Sequence, residues 1–243
     1  MKIGYISHSR LEVFDQCNYK YKLKYHDKID LKEDKDYLEF GKFVHLAFEL
    51  IVKENISPEE AAKKAYAEHY NFGSAHKEKI PRIFRNFSYL NESLKEIMKE
   101  DVEKEFRILI EDFEIYGFID REITFENGKI MIIDYKTSKK KNELNLKQAM
   151  NNGQLMKYVF VCHKMTNVPV EDIYAMLFYV DSGAKHIVSF DHNKVYTHIQ
   201  ECLEKARNIK EMRPEQAKAN IQPLCGWCEF KQICNPYQRS LKS

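Results

Sequence analysis

The sequence is short of net charge. Its 39 Lys and Arg residues nearly balance 37 Asp and Glu, a formal net charge of +2, so no general attraction to nucleic acid or to a lipid surface can rest on the total. It also lacks long apolar runs: segments such as "YAMLFYV" at 174–180 fall far short of the roughly 20 residues that span a bilayer. No charged-then-apolar leader opens it; the expectation is a soluble, cytoplasmic protein with no membrane partner. It carries no repeat, low-complexity segment or linker-like stretch. Its eight glycines include no G-x-x-x-x-G-K-[ST] loop, so no nucleotide-driven motor is recognisable. Six cysteines in such a chain argue against a disulfide framework.

What is there is a chain of 243 residues, long enough for a sizeable core, whose hydrophobic period changes along its length. "SRLE" at 9–12 has the form of a capping box with Ser9 as N-cap, opening a helix through the mid-twenties. Charged "DLKEDKD" marks a loop. Helices follow at "FGKFVHLAFELIVKE", at "SPEEAAKKAYAEHY" with Ser57 as cap and Pro58 in the first turn, and over roughly 80–100. The segments "EFRILIEDFEI", "YGFIDREITFE" and "KIMIIDYKT" then have strand character, with "ENGK" as an Asn-Gly hairpin turn. A helical segment at "LNLKQAMNNGQLMKYVFVCHKM", two strands at "DIYAMLFYV" and "KHIVSF", a helix at "NKVYTHIQECLEKARNIKEM" and a cysteine-rich tail complete the order. Helices packed around a mixed sheet, an α/β fold, are the natural result.

The last of the first three strands ends in "IIDYKT". Residues two apart on a strand share a face, so Asp134 and Lys136 project together while Tyr135 points away. Across the hairpin turn the neighbouring strand carries Asp120, about 5 Å away by ordinary strand spacing. Two carboxylates held close repel unless a positive charge lies between them. A hard divalent cation, Mg²⁺ or Mn²⁺, removes that repulsion and takes oxygen ligands. Such an ion polarises a phosphodiester and lowers the pKa of a water, with Lys136 available to stabilise charge on the phosphate oxygens. For a lone D-x-K the ordinary reading is a surface pair at a strand end. Basic residues also gather locally, in "KTSKKK" at 136–141 and in "NYKYKLKYHDK" at 18–28. Lysines interleaved with tyrosines hold phosphates and stack bases, unless the tyrosines face the core.

Cys225, Cys228 and Cys234 follow a C-x2-C-x5-C spacing, with Cys17 far upstream. A tetrahedral thiolate set needs a fourth ligand, and Cys17 is the candidate. Joining it to Cys225 would close a loop of more than roughly 200 residues and restrict the unfolded chain strongly. Cys162 and Cys202, in helix-like segments, read as buried apolar thiols.

"FGKFVHLAFE" with His45, "GFID" with Asp120, "IIDYKT", and "GQLMKY" with Gln154 and Tyr158 four apart on one helical face together resemble the RecB/AddB-type branch of the PD-(D/E)XK nuclease superfamily, from about Ser7 to Tyr237. The resemblance implies a restriction-endonuclease-like mixed sheet flanked by helices, read as one nuclease domain over 1–243. Its helical part would run over about 9–100, its core over 101–210 and an iron-sulfur tail over 211–243, completed by Cys17. It implies metal ligation by His45, Asp120, Asp134 and the backbone carbonyl of Tyr135. Lys136 is implied as the catalytic lysine and Gln154 with Tyr158 as its support, alongside Asp120 and Asp134. Glu105 falls where relatives often carry an acid and takes a secondary role. Ile119 replaces the proline of the superfamily's name, and Asp134 fills the slot written D or E; both are normal in this branch.

The cysteine pattern is similar to that of iron-sulfur members, among them the CRISPR-associated iron-sulfur exonuclease family. The resemblance implies a structural [4Fe-4S] cluster on Cys17, Cys225, Cys228 and Cys234; zinc on the same thiolates is the competing reading. The expected activity is metal-dependent DNA hydrolysis, exonucleolytic on single strands or ends. Lys20, Tyr21, Lys24, Lys139 and Lys140 would hold the strand. A separate helicase, or another recombination, replication or CRISPR adaptation protein, is the implied partner. The alternatives are a nucleic-acid-binding or complex-assembly subunit that keeps the fold without chemistry, and cleavage of RNA.

Overall fold

Ser7, not Ser9, starts the first helix. In the computed structural model, which describes residues 1, 3–31 and 36–241, Ser7 has extended backbone and its side chain accepts from the Arg10 N–H, capping α1 (His8–Gln16). The helix expected to reach the mid-twenties is broken at Cys17, whose extended backbone (φ −168°, ψ 113°) ends α1 and caps α2 (Asn18–Tyr21). A π-helical turn, Lys22–His26, follows. The expected loop at 30–36 lies largely outside the described residues, and Asp36 already belongs to α3 (Asp36–Glu54). In α4 (Pro58–Glu68), Ser57 caps by accepting from the Glu60 N–H and Pro58 occupies the first turn, as the sequence implies.

After α5 (Ser74–Lys77) comes α6 (Ile80–Ser93), which stops short of the expected residue 100. Glu96 takes a positive φ of 56° and its carbonyl accepts the Glu126 N–H, which commits the chain to strand pairing. Strand β1 (Ile97–Ile110) is therefore longer than expected, and it turns into β2 (Phe113–Phe125) at Glu111 (φ 53°) and Asp112. That turn falls inside "EFRILIEDFEI", a segment with no Gly, Pro or Asn to announce it. The turn into β3 (Ile130–Lys136) is at the expected "ENGK". Gly128 alone has positive φ (79°), the Gly128 N–H donates to the Phe125 carbonyl, and the Phe125 N–H donates to the Lys129 carbonyl. This is the bulged three-residue hairpin rather than the two-residue Asn-Gly form.

The expected single helical segment at 144–165 is two helices, α7 (Leu146–Ala149) and α8 (Gly153–Thr166). Asn152 divides them, its side chain accepting from the Gln154 and Leu155 N–H groups. Strands β4 (Ile173–Tyr179) and β5 (Ala184–Val188), helix α9 (His192–Glu211) and the short α10 (Asn235–Ser240) follow. The sheet order is β1-β2-β3-β4-β5, with β2/β3 antiparallel, β3/β4 parallel and β4/β5 antiparallel. The architecture is the mixed α/β sheet with flanking helices that the sequence implies.

The chain divides into two compact units, Met1–Asp34 with Arg107–Tyr116 and Gln200–Ser243, and Lys35–Phe106 with Gly117–Ile199. In the second, Phe43, Val44, Ala47 and Phe48 of α3 and Ile83, Phe87 and Leu90 of α6 bury themselves against Ile123, Ile133, Tyr135 and Phe178 of the sheet. Phe48 and Phe87 stack at 3.8 Å between centroids. Helix α8 packs on β3 and β4. Among the described residues no helix is long and apolar enough to cross a membrane.

Candidate active site

The β2/β3 register sets the site. Its pairs run from Thr124↔Ile130 to Arg121↔Ile133, so one step further Asp120 meets the level of Asp134. The Asp120 carboxylate uses Oδ2 to accept the Tyr135 backbone N–H at 2.7 Å, tying the two strands where the acids stand. From α3, His45 brings Nδ1 to 3.5 Å from Asp120 Oδ1 and 3.7 Å from Glu103 Oε1. His45, Glu103 and Asp120 each offer a ligand atom, and these atoms lie within 4.8 Å of one another. Asp134 stands outside this trio. It is 2 % exposed, and Lys136 Nζ lies 2.7 Å from its Oδ2, but at an angle that leaves that buried oxygen without a directed hydrogen bond.

A short relay fixes the lysine. Lys136 Nζ donates to Gln154 Oε1 at 2.9 Å, and Gln154 Nε2 donates to Tyr158 Oη at 2.8 Å. The two α8 residues are one helical turn apart, as their spacing implies. Tyr158 is held edge-on by Phe106 (6.1 Å). Gly117 makes room for that ring, since a Cβ there would come within 2.8 Å of Phe106 Cζ.

The electrostatics follow from burial and charge. Burial would depress the His45 imidazole, but Asp120 and Glu103 outweigh it and push its pKa up to about 10. Asp134 is pushed up to about 6, by burial first, with Asp120 adding to the shift and Lys136 opposing it. Lys136 is raised: burial works against its charge, and Asp134 more than compensates. Burial, together with the charges of Asp134 and Asp120, lifts the Tyr158 hydroxyl well above its ordinary value. The site therefore carries closely set carboxylates, an imidazolium and an ammonium.

Glu103 is the acid that the sequence reading missed. Glu105, assigned the secondary role, is exposed and is not part of the trio. On an unbroken strand the two would share a face. Glu103 instead has φ 45° within β1, a left-handed residue of the kind found at β-bulges, which re-aim side chains near functional sites. Nothing in "DVEKEF" announces it, because the residue in the left-handed conformation is neither Gly nor Asn.

In the first unit, Cys17, Cys225, Cys228 and Cys234 line one cavity of about 230 Å³. The Cys17 sulfur accepts from the Lys20 and Asn220 N–H groups and the Cys225 sulfur from the Gln222 N–H, each at 3.4 Å. Burial, and the other three cysteines more weakly, raise the pKa of Cys234. Cys162 and Cys202 are buried elsewhere. Of the residues expected to hold a strand, Tyr21 is fully buried between Phe14 and Tyr25 and belongs to the core. Lys20 and Lys24 pair with Glu229 at 3.8 and 3.4 Å. Lys139 and Lys140 are exposed just after β3.

A family model described as the PD-(D/E)XK nuclease superfamily matches residues 5–235. No curated protein matches the sequence. Among solved structures the chain is similar to a candidate exonuclease from Eubacterium rectale, at 12% identity and a TM-score of 0.63, over 95% of this chain and 88% of that one. At that identity the likeness speaks for the fold alone. It is also similar to SSO0001 (19% identity, TM-score 0.42, 90% and 95% covered) and to protein VC1899 from Vibrio cholerae (10%, 0.29, 88% and 59%). Neither of these two likenesses carries weight at those scores.

Proposed function

The chain belongs to the PD-(D/E)XK nuclease superfamily, and on that premise we propose that it is a metal-dependent deoxyribonuclease, an exonuclease acting on single strands or DNA ends. The observation that carries this reading is the convergence of His45, Glu103 and Asp120 next to the Asp134–Lys136 pair. An imidazole with carboxylates is a donor set that Mg²⁺ or, more readily, Mn²⁺ accepts. The buried Asp134 Oδ2 without a directed hydrogen bond and the crowding of like charges both suit a cation. His45, Glu103, Asp120 and Asp134 would hold it, with the Tyr135 carbonyl as a backbone donor. When bound, it supplies Lewis-acid polarisation of the scissile phosphate and a water of lowered pKa.

The chain's own residues do the rest. Asp134 keeps Lys136 cationic, and Gln154 aims the ammonium at the charge that develops on the phosphate oxygens. Because the Gln154 amide spends its oxygen on Lys136 and its nitrogen on Tyr158, it cannot rotate without losing both bonds. The direct test is incubation of the purified chain with Mn²⁺ or Mg²⁺ and end-labelled single-stranded DNA, duplex DNA and RNA. Shortening of DNA from its ends is expected, abolished by EDTA. Lys136→Ala is expected to lower kcat by roughly 10²-fold or more with an unchanged Tm. Full activity in that variant would contradict the assignment.

Glu103→Gln separates the two β1 acids. It is expected to weaken Mn²⁺ binding about 10- to 100-fold in calorimetric titration, and Glu105→Gln to leave it unchanged. The reverse result would return the role to Glu105.

The cysteine site is read as holding a structural [4Fe-4S] cluster. Zinc with bonds of about 2.3 Å would draw four thiolate sulfurs to about 3.8 Å from each other. Among the described residues no three cysteine sulfurs lie within 4.8 Å of one another, although all four line one cavity. That spacing favours a larger inorganic core, and the backbone N–H groups aimed at Cys17 and Cys225 suit thiolates. Iron and sulfide analysis of anaerobically purified protein tests it. If a duplex must be opened, a separate helicase would supply that work.

A further inference from the structure

The chain has one tryptophan, and it is 88% exposed. Large aromatic side chains are rarely left so open, and an exposed one marks a contact surface. Trp227 does not stand alone. Leu224 is 62% exposed and Ile221 46%, and with Tyr19 they line the same face of the first unit as Trp227. The charges in these segments are of one sign. Lys20, Lys24, Lys218, Lys231 and Arg239 stand against Glu229, which Lys20 and Lys24 already share. Lys231 is exposed, and its Nζ donates to the Gly226 carbonyl at 3.2 Å, next to the tryptophan in the chain.

We propose that Trp227 is a stacking platform for an unpaired base, and that Lys231 and its neighbours hold the flanking phosphates of a single-stranded polynucleotide. An indole offers its face to any base, and only an unpaired base exposes its own face to be stacked upon. The basic surround favours a polyanion over a protein partner, because charged residues are depleted at the centres of protein interfaces. The proposal rests on the nuclease reading only for the nature of the ligand; the contact itself needs no catalytic metal.

The test is fluorescence anisotropy of a labelled oligothymidylate with the full-length protein in EDTA, where no cleavage occurs. Trp227→Ala is expected to weaken binding roughly 5- to 150-fold, Trp227→Phe to restore most of it, and affinity for blunt duplex to stay as in the parent. Because the side chain is exposed, Tm and iron content should not move. If they do, Lys231→Glu supplies the second arm, with weaker binding and a salt dependence shallower by about one. Parental affinity in both variants overturns the proposal and leaves the surface to a protein. Cleavage by the parent in Mn²⁺ is scored separately. Cleavage without Trp227-dependent binding removes this site alone, and Trp227-dependent binding without cleavage removes the nuclease reading alone.

Discussion

Asp134→Asn is expected to abolish metal-dependent cleavage, by roughly 10³-fold or more, while leaving the metal-free protein as stable as the parent or more so. The two effects have one origin. Asp134 is almost wholly buried beside Asp120, and its pKa is pushed up to about 6 from 3.8. A carboxyl whose folded pKa lies above its unfolded value binds its proton more tightly in the native state. Its ionisation therefore penalises folding progressively as pH rises from about 4 to about 6, and fully above that. Asparagine keeps the shape without the charge, so at pH 7.5 the penalty disappears. Lys136 loses an ion-pair partner but keeps Gln154 and partial contact with solvent. The check is Tm in EDTA at pH 7.5 and pH 4.5, beside a cleavage assay in Mn²⁺. A gain at pH 7.5 that shrinks at pH 4.5, with no cleavage, is expected. Retained cleavage contradicts the catalytic role, and a large loss of Tm contradicts the electrostatic reading.

Cys17→Ser is expected to produce the largest loss of stability. On the proposed cluster reading, Cys17 and Cys225 are joined through the inorganic core, closing a loop of about 200 residues, and loop-closure entropy alone is then worth roughly 5 kcal/mol. For a chain of this size that corresponds to a fall in Tm of about 10–20 °C. Cys162→Ser is the control: its thiol is buried outside the cavity, and its loss should not change the metal content. Thermal melts with iron and sulfide analysis of both variants decide the matter. A Cys17→Ser protein that melts with the parent and keeps its iron would show that this cysteine staples nothing.

The chemistry was written in side chains whose spacing survives folding whatever their surroundings. Asp134 and Lys136 share a strand face because strands alternate. Gln154 and Tyr158 share a helix face because helices repeat. What the sequence concealed were the places where the backbone departs from those periods. Glu103 is turned by a left-handed residue inside β1, and the β1–β2 turn rests on Glu111, also left-handed without being Gly or Asn. The break at Cys17 was hidden for a different reason: "SRLEVFDQCNYKYKLKY" keeps a helical pattern throughout, and it is an extended cysteine that interrupts it. Tyr21 shows the limit of reading composition as surface, since alternation of lysine and tyrosine says nothing about which of the two meets water.

The most direct test of the proposed metal site is anomalous diffraction from a crystal soaked in Mn²⁺. A single strong peak is expected within bonding distance, roughly 2.0–2.3 Å, of His45 and Asp120, with Glu103 or Asp134 completing the protein ligands. A peak elsewhere, or none at these residues at saturating Mn²⁺, would contradict it.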